Sequence, residues 1–526
     1  MAIGGIFRRK SVAQIQSDHE HGELKRSLGA LNLVLLGIGC IIGTGIFVLT
    51  GRAAAQFAGP GIMISFIITG TLCAFVALCY AELASVLPVS GSAYSYSYAS
   101  MGEIVAWVMG LLLVLEYGLA ASTVAVGWSG YLVSLLKDMH IVIPPELTAA
   151  PGVAVKDAAG NVIATGRVNL PAIVALVAVT GLLVRGVTES TTVNNIVVAI
   201  KLTVVIAFIC IGAFYVNPDH WTPLIPPQVP APPEGTPMDI WSQIVRALAG
   251  IIGGDSEVRF GVSGLIHAAA VIFFAYLGFE AVSTAGAESR NPARDMPIGI
   301  LGALAVCTIL YILTSAVLVG IVPYQSLDNP APIALAVNQI GLPWFAVLVK
   351  IGAIAGLSSV MLVLLYGQTR IFYTMSRDGL IPSVFARVHP TFRTPWVNTI
   401  LVGVLACGAA GFMSLDKLAD LSNVGSLAAF GIVCATVIYL RITSPGLNRP
   451  FRAPLYPLVP ILGVLMCGLL LWTLMLTKHT REFFLIYLAV GTVLYFAYGM
   501  WNSKLRRGIL VTGHEAEPME LPHKGD

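Results

Sequence analysis

The sequence predicts an all-α integral membrane protein of about twelve transmembrane helices, and three observations carry that prediction. Of its 526 residues, 56% are hydrophobic and only 11% are charged, whereas a soluble domain carries about a quarter. The charges are also segregated: stretches such as Ala172–Val184 and Leu458–Thr477 contain none, and a helix needs roughly 20 apolar residues to cross the hydrocarbon core. Finally, turn residues and short polar loops recur between such runs.

Read between those turn signals, the spans are 29–56, 61–87, 103–136, 169–187, 193–216, 263–286, 297–322, 343–375, 397–412, 419–442, 456–477 and 481–502. Spans three and eight exceed the bilayer thickness and imply strong tilt or projection beyond it. A cytoplasmic N-terminus puts both ends and the even-numbered loops inside, with 19 of the 30 basic residues, as the positive-inside rule requires. The two longest loops, 137–168 and 217–262, then lie outside, the second rich in proline and so partly irregular. The polar first 28 residues are too long for the charged region of a signal peptide, so span one reads as a retained signal-anchor. A net charge of +3 is too small to suggest a nucleic-acid partner. All eight cysteines lie in apolar segments without metal-ligand or disulfide spacing and read as small hydrophobes.

Within span one, Gly37, Gly39, Gly43 and Gly45 fall close together, and each costs about 1 kcal/mol in a helix interior relative to alanine. Two readings stand: small residues that let helices approach closely, or an unwound segment whose freed N–H and C=O groups line a cavity. Span six favours the second. In Phe273–Gly286 a glycine, a carboxylate and hydroxyls interrupt an aromatic run, and spans one and six correspond if five helices repeat with inverted topology. Interruptions at matching places in two repeats point to a transport site. The half-helix N-terminus after such a break suits a carboxylate, and the carbonyls before it suit an ammonium. Together they form a receptor for a zwitterion built from backbone. Gly45→Leu is accordingly expected to remove binding while leaving the protein folded.

Intramembrane charges cost from about 2.5 kcal/mol upward and each calls for an account. Lys201 lies in span five and Glu116 in span three; a structural ion pair between Lys201 and an acid is the alternative to a functional role. Glu82 and Glu288 near span ends read as solvated or structurally paired, and His267, placed alone in span six, as structural.

Six motifs, in order, carry a resemblance: GCIIGTGIF at 39–47, YAELAS at 80–85, GSAYSY at 91–96, FFAYLGFEAVST at 273–284, ESRNPARDMPIGI at 288–300 and RIFYTMSRDGLIP at 370–382. From about Leu24 to Asn502 the chain resembles the amino acid–polyamine–organocation superfamily, specifically bacterial members of the cationic amino acid transporter family. The resemblance implies a cytoplasmic tail 1–28, a first inverted repeat 29–216, an external loop 217–262, a second repeat 263–442, two peripheral spans 456–502 and a cytoplasmic tail 503–526. It implies that the substrate carboxylate meets N–H groups of Gly43, Thr44 and Gly45, and the ammonium carbonyls near Ile41, Phe274, Ala275 and Leu277. Glu116 matches the acid facing the substrate side chain in the cationic branch, while Glu280 stands where the family often has aspartate. Lys201 matches a lysine that replaces a sodium site in proton-coupled members, bridging spans one and eight near Gly39 and Ser358 or Ser359. Animal members have fourteen spans, against the twelve counted here.

The implied function is proton-coupled uptake of amino acids through a bacterial inner membrane, with preference for arginine, lysine and ornithine or a broad range. An obligate exchanger of the same fold and a non-transporting sensor are the alternatives. No catalytic grouping, metal-ligand cluster or phosphate loop stands out, so the expectation is a non-enzyme without cofactor or metal. The proton gradient is its coupling ion. Its partners are the amino acid, the bilayer and a small single-span accessory subunit of the kind some bacterial members carry.

Overall fold

A computed structural model describes residue 8 and residues 28–88, 92–156, 162–186, 191–230, 240–253 and 259–508. Helices occupy all twelve expected spans. Span one is Ala30–Ile41 followed, after a break, by helical turns through Ala58; span two is Ile62–Val86, and span three Glu103–Asp138. Spans four to six are Leu170–Val184, Thr191–Gly212 and Gly261–Glu288; spans seven to nine are Pro292–Ile321, Pro343–Arg377 and Trp396–Phe412. Span ten is Leu415–Thr443, span eleven Leu458–Met475 and span twelve Lys478–Asn502. Spans three and eight run to 36 and 35 residues, as their apolar runs predict.

Local chemistry sets the ends. Span four starts at Asn169, whose side chain accepts from Ala172 N at 3.2 Å and from Ser129 Oγ at 2.7 Å, with Pro171 in the first turn. Span seven starts at Asn291-Pro292, where Asp295 Oδ2 reaches back to Asn291 N at 3.2 Å. Span eight stops at Arg377-Asp378-Gly379, the glycine taking φ +81°.

The spans pack as two interlocked sets. Span one packs on span seven as span six packs on span two, and span five packs on span eight as span ten packs on span three. The pairs two–seven, three–eight and four–nine complete the pattern. Exchanging one with six, two with seven and so on to five with ten maps these contacts onto themselves, the signature of a repeated five-helix unit. The most apolar stretch of span six is 83% buried and that of span twelve 22%, so six is central and twelve peripheral. Outward apolar side chains such as Val174, Ile196, Ile309, Val404, Leu405 and Ile486 are exposed and form the surface that meets lipid.

The loops hold more structure than their sequences suggest. Loop 217–262 contains the helix Ile240–Gly253, tied to span eleven by Trp472 Nε1 donating to Ile251 O at 2.9 Å. Loop 137–168 carries an antiparallel hairpin, Ala154–Lys156 with Val162–Thr165. A short helix, Ser92–Ser100, joins spans two and three, and another, Pro332–Gln339, precedes span eight.

Glu82, 2% exposed, fastens span two to span ten. Arg441 donates to it through two nitrogens at 2.9 and 2.5 Å, Ala453 N donates at 2.8 Å, and Arg449 lies at 3.4 Å. Removing one side of a buried charged network leaves the other uncompensated, at a cost of about 3–5 kcal/mol. Glu82→Ala should therefore lower the melting temperature of the purified protein by several degrees without altering ligand affinity; an unchanged melting curve would show this fastening to be dispensable.

Candidate substrate site

In span one the helix ends at Ile41, Ile42 is extended at φ −73°, ψ 99°, and helical structure resumes as a π-turn at Gly45–Leu49. In span six the α-helix gives way at Phe273 to a tighter 3-10 turn, Leu277 is extended at ψ 134°, and Gly278 takes φ +115°. A side chain is strained at that φ, so the glycine makes the turn possible. Both interruptions fall in the interior of spans one and six, which the repeat pairs with each other.

The two breaks also lie against each other. A Cβ on Gly45 would stand 2.2 Å from Ala275 Cα, and one on Gly278 would stand 2.8 Å from the backbone of Cys40. Gly37 and Gly39 meet Ala303 and Val198 just as closely, but a Cβ on Gly43 would meet only Val360, at 3.5 Å. The packing and unwinding readings of the glycine motif therefore both hold, at different residues. The expectation that Gly45→Leu keeps the protein folded fails, because the added side chain would collide with backbone.

Many carbonyls released near the breaks already have donors. Lys201 Nζ donates to Gly39 O at 2.7 Å, and Tyr311 OH to Ile41 O at 2.8 Å. Asn423 Nδ2 donates to Ala270 O and Val271 O, each at 3.0 Å, and Leu277 N reaches Phe274 O at 3.3 Å. Ile41 and Phe274 thus offer an incoming ammonium one remaining lone pair each. The half-helix that resumes after Gly43 leaves its first N–H groups, at Thr44 and Gly45, without acceptors of its own. Beside them Thr44 Oγ1 is buried with no hydrogen-bond partner, packed into space left by Gly127 of span three.

Glu116 sits on a π-turn, Leu115–Leu119, 1% exposed, and among the described residues no cation or backbone N–H reaches either oxygen. It is therefore not paired with Lys201. Its nearest acidic neighbour is Glu280, also 1% exposed, whose Oε2 accepts Gly278 N at 2.8 Å and so braces the span-six break. Tyr80 and Tyr117 stand beside this pair. Two carboxyl groups this close and this dry repel if both are charged; a cation or a proton brought between them relieves that repulsion.

Lys201 is fully buried and crosses span eight at Gly356, where a Cβ would come within 2.9 Å of the lysine Cε. It thus lies between spans one and eight. Ser359 is buried on the same helix, whereas Ser358 accepts from Trp128 Nε1 at 2.9 Å and is turned toward span three. His267 stacks on Phe57, ring centroids 4.4 Å apart.

Sequence reasoning missed several of these groups. Lys350, counted among external basic residues, is 1% exposed and pairs with Asp138 at 2.5 Å, joining spans three and eight. Arg52 of span one pairs with Asp416 of span ten at 2.8 Å and with Asp328 at 3.3 Å. Tyr311, Ser422 and Asn423 escaped because their polarity is ordinary; the run Ser422-Asn423-Val424-Gly425-Ser426 in an apolar span signals the last two, and nothing local signals Tyr311.

The family model described as amino acid permease matches residues 28–495. The chain belongs to the amino acid permease family. A methylthioribose transporter and a branched-chain amino acid permease, both from Bacillus subtilis (strain 168), are each 44% identical to this permease over 506 residues, covering 96% of it and 100% of each relative. The vacuolar cationic amino acid transporter 4 of Arabidopsis thaliana is 35% identical over 449 residues, covering 84% of this permease and 68% of the relative. The permease is a multi-pass membrane protein with its two helix breaks at the centre of the bundle.

The packing separates two glycines of one motif by experiment. Gly43→Ala should leave the monodisperse elution and melting temperature of the purified permease near those of the parent, since its Cβ has room. Gly45→Ala should lose several kcal/mol as an overpacked core and fail to elute as a monodisperse species. Equal behaviour of the two variants would contradict the packing described here.

Proposed function

We propose that this permease is a secondary transporter that binds an amino acid between the breaks of spans one and six and moves it with a proton. The observation that carries this reading is the pairing of two helix interruptions with a buried carboxyl, Glu116, that faces a second acid, Glu280, and makes no ion pair among the described residues. The N–H groups at Gly43, Thr44 and Gly45 take the substrate carboxylate; the carbonyls at Ala275 and Leu277, with the open lone pairs of Ile41 and Phe274, take the ammonium. Glu116 and Glu280 receive a cationic side chain, which favours arginine, lysine or ornithine. Lys201, tying span one to span eight through Gly39, couples the proton: when it is charged the tie holds, and when it is neutral the bundle is free to rock. Net uptake against a gradient, in place of obligate exchange or sensing without turnover, follows from that coupling.

One specific observation favours a second substrate class. Carboxylates accept hydrogen bonds from hydroxyl groups as well as from ammonium groups, and a methylthioribose transporter is as similar to this chain as a branched-chain amino acid permease is. Binding of methylthioribose that competes with an amino acid would place a polyhydroxyl ligand in the same site.

Losing one member of a desolvated charge pair costs about 2–5 kcal/mol. Glu116→Gln should therefore raise the Kd for arginine roughly 30-fold or more while changing that for alanine little, measured by equilibrium binding; equal losses for both would make Glu116 structural. In liposomes with only a pH gradient imposed, Lys201→Ala should bind substrate but no longer accumulate it. Continued accumulation would remove Lys201 from the coupling step.

A further inference from the structure

Asn423 lies about two turns into span ten, fully buried, and its Nδ2 donates to Ala270 O and Val271 O at 3.0 Å each. Those carbonyls belong to the last turn of the α-helix Gly261–Ile272, just before the chain tightens into the 3-10 turn at Phe273–Tyr276. A change of helical pitch moves the expected donors out of line, so carbonyls at the junction are left under-served inside a protein core. Asn423 supplies what the backbone withdraws. Next to it, Ser422 Oγ donates to Glu116 O at 3.1 Å, and a Cβ on Gly425 would stand 2.7 Å from Leu115 Cβ. A single turn of span ten therefore grips span six ahead of its break and span three at the π-turn that carries Glu116. The amide is only half spent, since Asn423 Oδ1 is buried without a hydrogen-bond partner.

We propose that Asn423 is a positioning residue for the substrate receptor. Its amide nitrogen holds the pitch change of span six, and that pitch change sets where the Leu277–Gly278 break presents its backbone groups. The proposal rests on reading the two breaks as the receptor. Because Asn423 acts through the backbone of span six, its loss weakens every amino acid by the same factor, unlike the loss of Glu116, which selects among side chains.

The test measures equilibrium binding of alanine, leucine and arginine to the purified full-length permease, together with the melting temperature of the ligand-free protein. Asn423→Asp keeps the size and the Oδ1 acceptor but removes the Nδ2 donors; Asn423→Ala removes both. Both variants should raise all three Kd values by a common factor of about 10–100, as displaced supporting groups do, with the ligand-free Asn423→Asp protein still melting cooperatively. Affinities that stay at parent values while the melting temperature falls would overturn the proposal and leave Asn423 a packing residue. So would an Asn423→Asp protein that binds like the parent, and so would losses confined to one of the three amino acids. Should Asn423→Ala not fold, the near-isosteric aspartate carries the test alone. A parent protein that binds none of the three would instead sink the receptor reading itself, and this inference with it.

Discussion

Lys201 stands 2.7 Å from the carbonyl of Gly39, Tyr311 stands 2.8 Å from that of Ile41, and Asn423 reaches two carbonyls of span six. Each side chain comes from a different span, and each ends at a backbone oxygen beside a place where a helix changes course. The constraint behind them is the cost of an unpaired peptide group where no bulk water reaches, which limits spanning structure to helices unless protein supplies the missing partner. Breaking spans one and six at mid-bundle incurs that cost twice. Spans five, seven and ten meet it, and their arrangement around the breaks follows from the need.

The same constraint explains the glycines. A break is held only if its neighbours come close enough to hydrogen-bond or exclude solvent, and Gly45 against Ala275 and Gly278 against Cys40 give backbone-to-backbone approach. The interruptions are therefore tightly buttressed. Among the buried side chains of the described residues that keep a polar atom without a hydrogen-bond partner, Glu116 and Thr44 stand beside these breaks.

Much of this was legible in the sequence because hydropathy and glycine spacing are local signals. Twelve apolar runs became twelve helical spans, and the interruptions fell at Gly43 and Gly278 because a helix-breaking residue acts where it stands. Contacts between distant segments were less accessible. Lys350 sits seven positions into span eight and looks like an interfacial lysine that reaches water; only the arrival of Asp138 from span three lets the lysine be buried while its partner stays exposed. The adjacency of Glu116 and Glu280 depends on the crossing of spans three and six, which neither segment encodes alone. The strand pair Ala154–Lys156 with Val162–Thr165 and the helix Ile240–Gly253 were hidden for another reason: they lie in long polar or proline-rich loops, where composition argues for irregular chain, while cross-strand pairing orders the first and a tie to span eleven the second.

The receptor proposed here, whose ends are backbone, has a consequence for how substrates diverge in such a family. Peptide N–H and C=O groups do not change when side chains do, so whatever binds them is held in common by chains that differ elsewhere. On that proposal selectivity falls to the side chains beside the breaks. Two of these are acids that lie together, Glu116 on a π-turn of span three and Glu280 on span six, with Tyr80 and Tyr117 against them. Two carboxyls in contact constitute a demand for positive charge or for hydrogen-bond donors, and three ligands answer it: a cationic side chain, a proton or a cluster of hydroxyls. Relatives of equal identity whose names give an amino acid and a thiosugar as cargo are what such a division of labour permits, since the groups that hold the breaks, Lys201, Tyr311 and Asn423, are separate from the paired acids.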